Sequence, residues 1–214
     1  MAAFFDRRAD SYDEHMRRSV VEFDAFYRQI AEQIEPTEEP VAVLDLGCGT
    51  GLELAFIFDR APNARVTAVD LSPEMLTQLT EKYAEKREQI TVVVSSYLEL
   101  DIEPGSWDVI ISAMTLHHLT RPEKMRLYQT IHRGLKPGGR YVEGDYLVSK
   151  EEEGECLERY RKLQQAHSEI SRGAYHIDIP FSAETQRVLF SGAGFSEAEV
   201  VWKGGEAAVF LARK

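Results

Sequence analysis

The chain has 214 residues, 43% of them hydrophobic, with 25 basic against 36 acidic side chains and a formal charge of −11. This length can bury one sizeable core and favours one domain with additions over two full domains. The negative balance repels nucleic-acid backbones and anionic membranes, and no apolar run reaches bilayer-crossing length, so a small-molecule substrate and a cytoplasmic location are expected.

Residues 4–34 read as helical, with Phe23, Phe26, Tyr27, Ile30 and Ile34 recurring at three- and four-residue spacing. Pro36 and Pro40 close this segment, so residues 1–40 form a helical N-terminal unit ahead of a main domain over 41–214. Arg7, Arg8, Arg17, Arg18 and Arg28 alternate here with Asp6, Asp10, Asp13 and Glu14, the pattern of a solvated helix face. Strands and helices then alternate: strand 41–46, helix 52–60, strand 65–70, helix 73–86, strands 90–95 and 107–112, helix 122–134, strand 139–146. Such alternation means parallel pairing through helical crossovers, a doubly wound α/β sheet. Ser72-Pro-Glu is a sound helix start, and Pro137-Gly-Gly reads as a turn before a strand. A charged helix over 150–172 opens a helical insertion of about 150–180. A helix over 182–191 stopped by Gly192-Ala-Gly194 follows, then strands 197–203 and 207–213 as a hairpin around Gly204-Gly205. Cys48 and Cys156 form neither a disulfide framework nor a metal spacing and read as reduced thiols, and no sequence cluster of His, Asp and Glu argues for a metal.

The most informative stretch is Val41-Ala-Val-Leu-Asp-Leu-Gly-Cys-Gly-Thr-Gly51, a buried-type strand running into a glycine turn with Asp45 near its end. Gly47, Gly49 and Gly51 allow a tight turn and close approach of a ligand, but Leu52 stands where a dinucleotide fingerprint wants a small residue. Asp45 disfavours a pyrophosphate and suits an ammonium. Asp70, ending the second strand about twenty residues on, stands where a carboxylate meets a ribose diol. A capping or loop-bracing role is the alternative for both acids.

These residues resemble the class I S-adenosylmethionine-dependent methyltransferases, in Val43–Gly51, Val69-Asp-Leu-Ser-Pro-Glu-Met75, Trp107–Leu119 and Leu135-Lys-Pro-Gly-Gly-Arg-Tyr141. The resemblance implies a Rossmann-like, seven-stranded, mainly parallel sheet ending in an antiparallel hairpin. It also implies S-adenosyl-L-methionine as methyl donor, S-adenosyl-L-homocysteine as product, and a small metabolite, apolar or aromatic, as acceptor. Asp45 and the Gly47 carbonyl would take the ammonium, Asp70 the ribose, and Leu71 and Met75 the adenine faces. Cys48, Gly49, Gly51, Tyr97, Ala113 and Met114 complete the implied donor site, and Ser96 stands where related chains often carry an acid for the adenine amine.

Phe5-Asp6, Ala9 and Tyr12-Asp13 resemble an F-D-x-x-A-x-x-Y-D segment that forms a lid over the donor in small-molecule members, which makes residues 1–40 an N-terminal lid. Tyr12 is then the lid residue, or else an aromatic packing the helix onto the sheet. His117 and His118 follow the fourth strand where an acceptor would lie and are candidate bases, or pocket and helix-start residues. Acceptor specificity is expected from Tyr146, Tyr160, Tyr175, His176 and Asp178. A homodimer is compatible with all of this.

Two other readings stay open. Ser182-Ala-Glu-Thr and Ala193-Gly-Phe195 resemble carboxy-S-adenosylmethionine synthase, a tRNA-modification enzyme in which an arginine of the equivalent helix meets the donor's extra carboxylate; here Leu189 stands at that position and Arg187 two residues earlier. A non-catalytic donor-binding subunit or sensor is the other.

Overall fold

In a computed structural model describing residues 5–166 and 177–214, strands form at Ala42–Leu46 (β1), Arg65–Asp70 (β2), Ile90–Val94 (β3), Trp107–Ala113 (β4), Leu135–Tyr146 (β5), Glu197–Gly204 (β6) and Ala207–Arg213 (β7). They make one seven-stranded sheet in the order β3-β2-β1-β4-β5-β7-β6. The first five are parallel, and β7 lies antiparallel between β5 and β6. The expected sheet and its terminal hairpin are therefore both present.

The helices are Tyr12–Ser19 (α1), Phe23–Glu32 (α2), Leu54–Arg60 (α3), Pro73–Lys82 (α4), Arg121–Gly134 (α5), Lys150–Ala166 (α6) and Ala183–Ala193 (α7). None of the described helices is long and apolar enough to cross a membrane. Strand alternation divides the core into two layers. Val43, Val66, Val109, Ile111 and Val142 face α2 and α3, whereas Leu44, Leu46, Ile110, Tyr141 and Phe210 face α5 and α7.

Three local expectations change. The helix expected from residue 52 starts at Leu54, because Leu52 and Glu53 still belong to the turn. Pro137-Gly-Gly lies within β5 rather than before it: β4 and β5 pair as Trp107↔Leu135 and then Val109↔Arg140, so the extra β5 residues bulge out of register. The N-terminal helical stretch is broken at Glu22, whose φ is +55°. Beyond that break α2 packs into the core through Phe26, Tyr27 and Ile30; a Cβ on Gly144 of β5 would lie 2.5 Å from Ile30 Cδ1.

Glu153 ties the helical insertion to the main domain. Its buried carboxylate accepts hydrogen bonds from the Ser182 N–H (3.0 Å) and Oγ (2.6 Å), from Thr185 Oγ1 (2.8 Å) and from Arg121. Burial opposes its ionisation, but Ser182, Thr185 and Arg121 together bring the carboxyl from its usual 4.5 down to about 2. A depressed carboxyl contributes stability that is complete above its unfolded value and is lost as pH falls through the folded one. Glu153→Gln is expected to cost about 1–2 kcal/mol at neutral pH once solvent screening is allowed for, a deficit that shrinks as pH falls from 4.5 towards 2. Urea unfolding at a series of pH values measures both; a deficit constant across that window would remove Glu153 from this role.

Candidate functional site

The sheet order reverses between β1 and β4, so the carboxyl ends of these strands open a crevice, where α/β sheets bind ligands. The glycine loop closes one side of it. Gly47 and Cys48 donate their N–H groups to the Val69 carbonyl at 2.8 and 3.1 Å, which pins the loop to the end of β2. Gly47 has φ +73°, and a Cβ there would fall 2.4 Å from Thr115 Oγ1, so only glycine fits. Asp70 accepts from the Gly49 N–H (3.0 Å) and the Ser72 N–H (2.8 Å), one bond to each carboxylate oxygen. Burial raises its carboxyl even against these donors.

Two adjoining cavities occupy the crevice. The first is a narrow cleft with a volume of about 50 Å³, lined by Gly47, Gly49, Asp70, Leu71, Met75 and Tyr97, with Thr115 at its side. The second, about 350 Å³, is lined by Arg8, Ser11, His15, Met16, His117, Tyr146 and Asp178. Phe5, Tyr12, Met114 and His118 line both, so these four residues form the wall between them. Met114 is held at φ +50°, a rare conformation for a side-chain-bearing residue, while its N–H donates to the Gly144 carbonyl at 2.8 Å.

The N-terminal segment crosses over the first cavity and is tied down by its acids. Asp6 accepts from Ser72 Oγ (2.5 Å), Asp10 from Gln78 Nε2 (3.1 Å), and Asp13 from Thr50 Oγ1 (2.5 Å) and Lys82 Nζ (2.6 Å). These anchors set Tyr12 against Gly49, where a Cβ would lie 3.5 Å from the Tyr12 ring. Phe5 meets the same ring edge-on at 6.5 Å. Burial, aided by Asp70 and Glu53, pushes the Tyr12 phenol up, so it stays neutral at physiological pH.

Histidines 117 and 118 lie on a 3-10 turn, Leu116–His118, just past β4. Because β5 pairs with β4 as Ala113↔Gly144, Asp145 arrives beside that turn, and His117 Nδ1 lies 2.5 Å from Asp145 Oδ1. Burial opposes ionisation of Asp145, but His117 and Lys124 hold its carboxyl below the usual range. The opposite ring nitrogen, His117 Nε2, lies 3.7 Å from Asp178 Oδ1, and His118 Nδ1 lies 3.2 Å from the same oxygen. Burial lowers the His118 imidazole, favouring its neutral form, although Asp178 pulls the other way. The Tyr146 ring packs on His117 at 4.8 Å.

Of the residues singled out from sequence, Tyr12, Gly47, Gly49, Asp70, Leu71, Met75, Tyr97 and Met114 line the first cavity, while His117, His118, Tyr146 and Asp178 line the second. Asp45 does not line either. It alternates onto the same sheet face as Val43, beneath α3, where Glu53 is also buried. Burial and then Glu53 raise the Asp45 carboxyl well above its usual range, and burial raises Glu53 too. Cys48, Gly51, Ser96 and Ala113 also lie off both cavities. The Cys48 thiol is buried and pushed up by that burial, the Gly51 carbonyl accepts from Tyr83 OH (2.7 Å), and Ser96 Oγ accepts from the Leu98 N–H (3.2 Å). Tyr160 sits on α6, bonded to Gln164, away from the cavities. Tyr175 and His176 fall outside the described residues.

No cluster of metal-ligand residues stands out in sequence, but the fold brings His117, His118 and Asp178 together, with one ligand atom each within 4.8 Å of the others. Sequence reasoning missed this because 60 residues of chain, on the order of a whole supersecondary unit, separate the partners. It also missed Thr115, Glu53 and Asp145, the last of which is legible only once β4 and β5 are in register.

A family model described as a methyltransferase domain matches residues 43–139. The carboxy-S-adenosyl-L-methionine synthase of Trichodesmium erythraeum is 30% identical over 80% of this chain and 72% of its own length. The malonyl-[acyl-carrier protein] O-methyltransferase of Herminiimonas arsenicoxydans is 31% identical over 85% of this chain and 65% of its own length. Among solved structures, human N-acetylserotonin methyltransferase in complex with SAM superposes with a TM-score of 0.65 at 21% identity, over 88% of this chain and 51% of that one.

The Gly47–Thr115 contact gives a direct test of the loop. Gly47→Ala is expected to destabilise the fold by about 1–3 kcal/mol through its left-handed backbone and the clash together. Adding Thr115→Ala should restore the steric part and leave the backbone part, measured by thermal unfolding of the single and double variants.

Proposed function

Because the chain belongs to the class I S-adenosylmethionine-dependent methyltransferases, we propose that it methylates a small-molecule acceptor held in the second cavity. The observation that carries this reading is the wall of Phe5, Tyr12, Met114 and His118, which belongs to both cavities and so brings donor and acceptor spaces into contact. Methyl transfer is an in-line displacement, for which alignment and exclusion of water are the main requirements.

The residues present fit the donor. Each Asp70 oxygen accepts one backbone N–H and has lone-pair capacity left for a ribose hydroxyl. Leu71 and Met75 offer apolar contact to an adenine, and the Gly47 and Gly49 backbone can approach the amino-acid end closely. S-adenosylmethionine supplies an activated methyl group on a sulfonium sulfur. Around that group the strap from Asp6 to Asp13 excludes water, and the neutral Tyr12 phenol presents no charge to it. His117, oriented by Asp145, and His118 supply polar nitrogen atoms to the acceptor.

A second reading, a carboxy-S-adenosylmethionine synthase-like activity, is favoured by the 30% identical relative. The α7 helix speaks against it. Leu189 is buried in the apolar layer, Arg187 is exposed, and neither lines a cavity. Mass spectrometry of ligand carried through purification separates the two, since a carboxylated donor adds the mass of its extra carboxyl. For the donor site, Asp70→Ala is expected to weaken S-adenosylmethionine binding by about tenfold or more in calorimetry. Unchanged affinity would remove Asp70 from the donor site. A screen with radiolabelled methyl donor against metabolite pools should reveal transfer, and intact binding with persistent absence of transfer would favour a sensor instead.

A further inference from the structure

We propose that His117, His118 and Asp178 bind a divalent transition-metal ion of the zinc class at the floor of the second cavity. The three side chains present two imidazole nitrogens and a carboxylate oxygen, all within 4.8 Å of one another. A tetrahedral ion with bonds of about 2.0–2.1 Å sets neighbouring ligand atoms roughly 3.3 Å apart. The observed separations are 3.2 Å from His118 Nδ1 to Asp178 Oδ1 and 3.7 Å from His117 Nε2 to the same oxygen. The two ring nitrogens lie within 4.8 Å of each other, so an ion draws the rings together by side-chain rotation.

The surroundings match a built site. His117 binds Asp145 through Nδ1, 2.5 Å away, which leaves Nε2 directed to Asp178. A carboxylate on the far nitrogen of a histidine is the arrangement that fixes the tautomer and orientation of a metal ligand. Asp145 is itself buried and held by the Tyr146 N–H at 2.8 Å. The third ligand is positioned by backbone: the Ile179 N–H donates to the His117 carbonyl at 2.7 Å, docking the chain that carries Asp178 onto the histidine turn. Nitrogen-rich ligands favour zinc-like ions over magnesium or calcium, which prefer oxygen shells. Among the described residues three such ligands meet beside the second cavity.

An ion held there would lie beside the acceptor space that all three residues line, and would take an acceptor thiol or hydroxyl as a further ligand. Bound there, such a group would release its proton to solvent. Its lone pair would then form the new bond to the methyl carbon as the carbon–sulfur bond of the sulfonium breaks, with that electron pair returning to the donor's sulfur. This role rests on the methyl-transfer reading; metal binding itself does not.

The test uses the full chain, stripped with a chelator and titrated with Zn²⁺ by calorimetry and with Co²⁺ by visible absorption. One ion per chain with a four-coordinate Co²⁺ spectrum is expected. His118→Ala and Asp178→Ala should each weaken binding at least tenfold, and Asp145→Asn by about 10- to 100-fold. S-adenosylmethionine affinity should be unchanged in Asp178→Ala, which shows that this variant is folded, because Asp178 lines only the second cavity. Failure of the wild-type protein to bind one ion, or binding undiminished in both ligand variants, overturns the site. Stoichiometric binding without methyl transfer to any acceptor would leave the metal site standing and overturn the transfer reading.

Discussion

The glycine loop after β1 has amide groups that its own tight turn cannot satisfy, and their partners lie on the neighbouring strand. Gly47 and Cys48 bond to the Val69 carbonyl, and Gly49 bonds to Asp70. Buried backbone N–H groups left unpaired are costly, so this junction fixes the loop's height above the sheet. The rest of the crevice is referenced to it. Thr115, past β4, packs against Gly47, and Tyr12, on α1, packs against Gly49.

The same economy explains why an acidic chain needs its acids. Asp6, Asp10 and Asp13 look like solvated charges along a helix, yet all three accept hydrogen bonds that hold the N-terminal strap on the glycine loop and α4. One of them, Ser72's partner Asp6, reaches a residue that also caps α4 by accepting from the Met75 N–H at 3.2 Å. The strap is thus held by these polar contacts together with Tyr12 and Met16, which pack on the same apolar core as α2.

Beneath β5, Glu143 is buried with Lys124 (2.9 Å), Gln186 (2.6 Å) and Tyr141 (3.0 Å) around it. A buried carboxylate needs such partners to offset desolvation. Their effect is to lock α5 and α7 onto the strand that delivers Asp145 to His117. The position of Asp145 beside His117, which lines the second cavity, thus depends on a polar network on its own face of β5. Removing one member would leave the others unsatisfied.

Much of this was legible from residues alone. Strand and helix alternation, the glycine turn, the acid ending β2 and the terminal hairpin are local patterns, because period and turn chemistry act over a few residues. Asp45 marks the limit of such reading: its place beside the turn suggests a ligand contact, but strand alternation carries it under α3 to Glu53. The pairing of Asp145 with His117 and the convergence of His117, His118 and Asp178 were decided only by tertiary structure. Each depends on strand register and on a returning chain, and neither leaves a periodic trace in sequence, because contacts between distant segments are set by packing rather than by spacing.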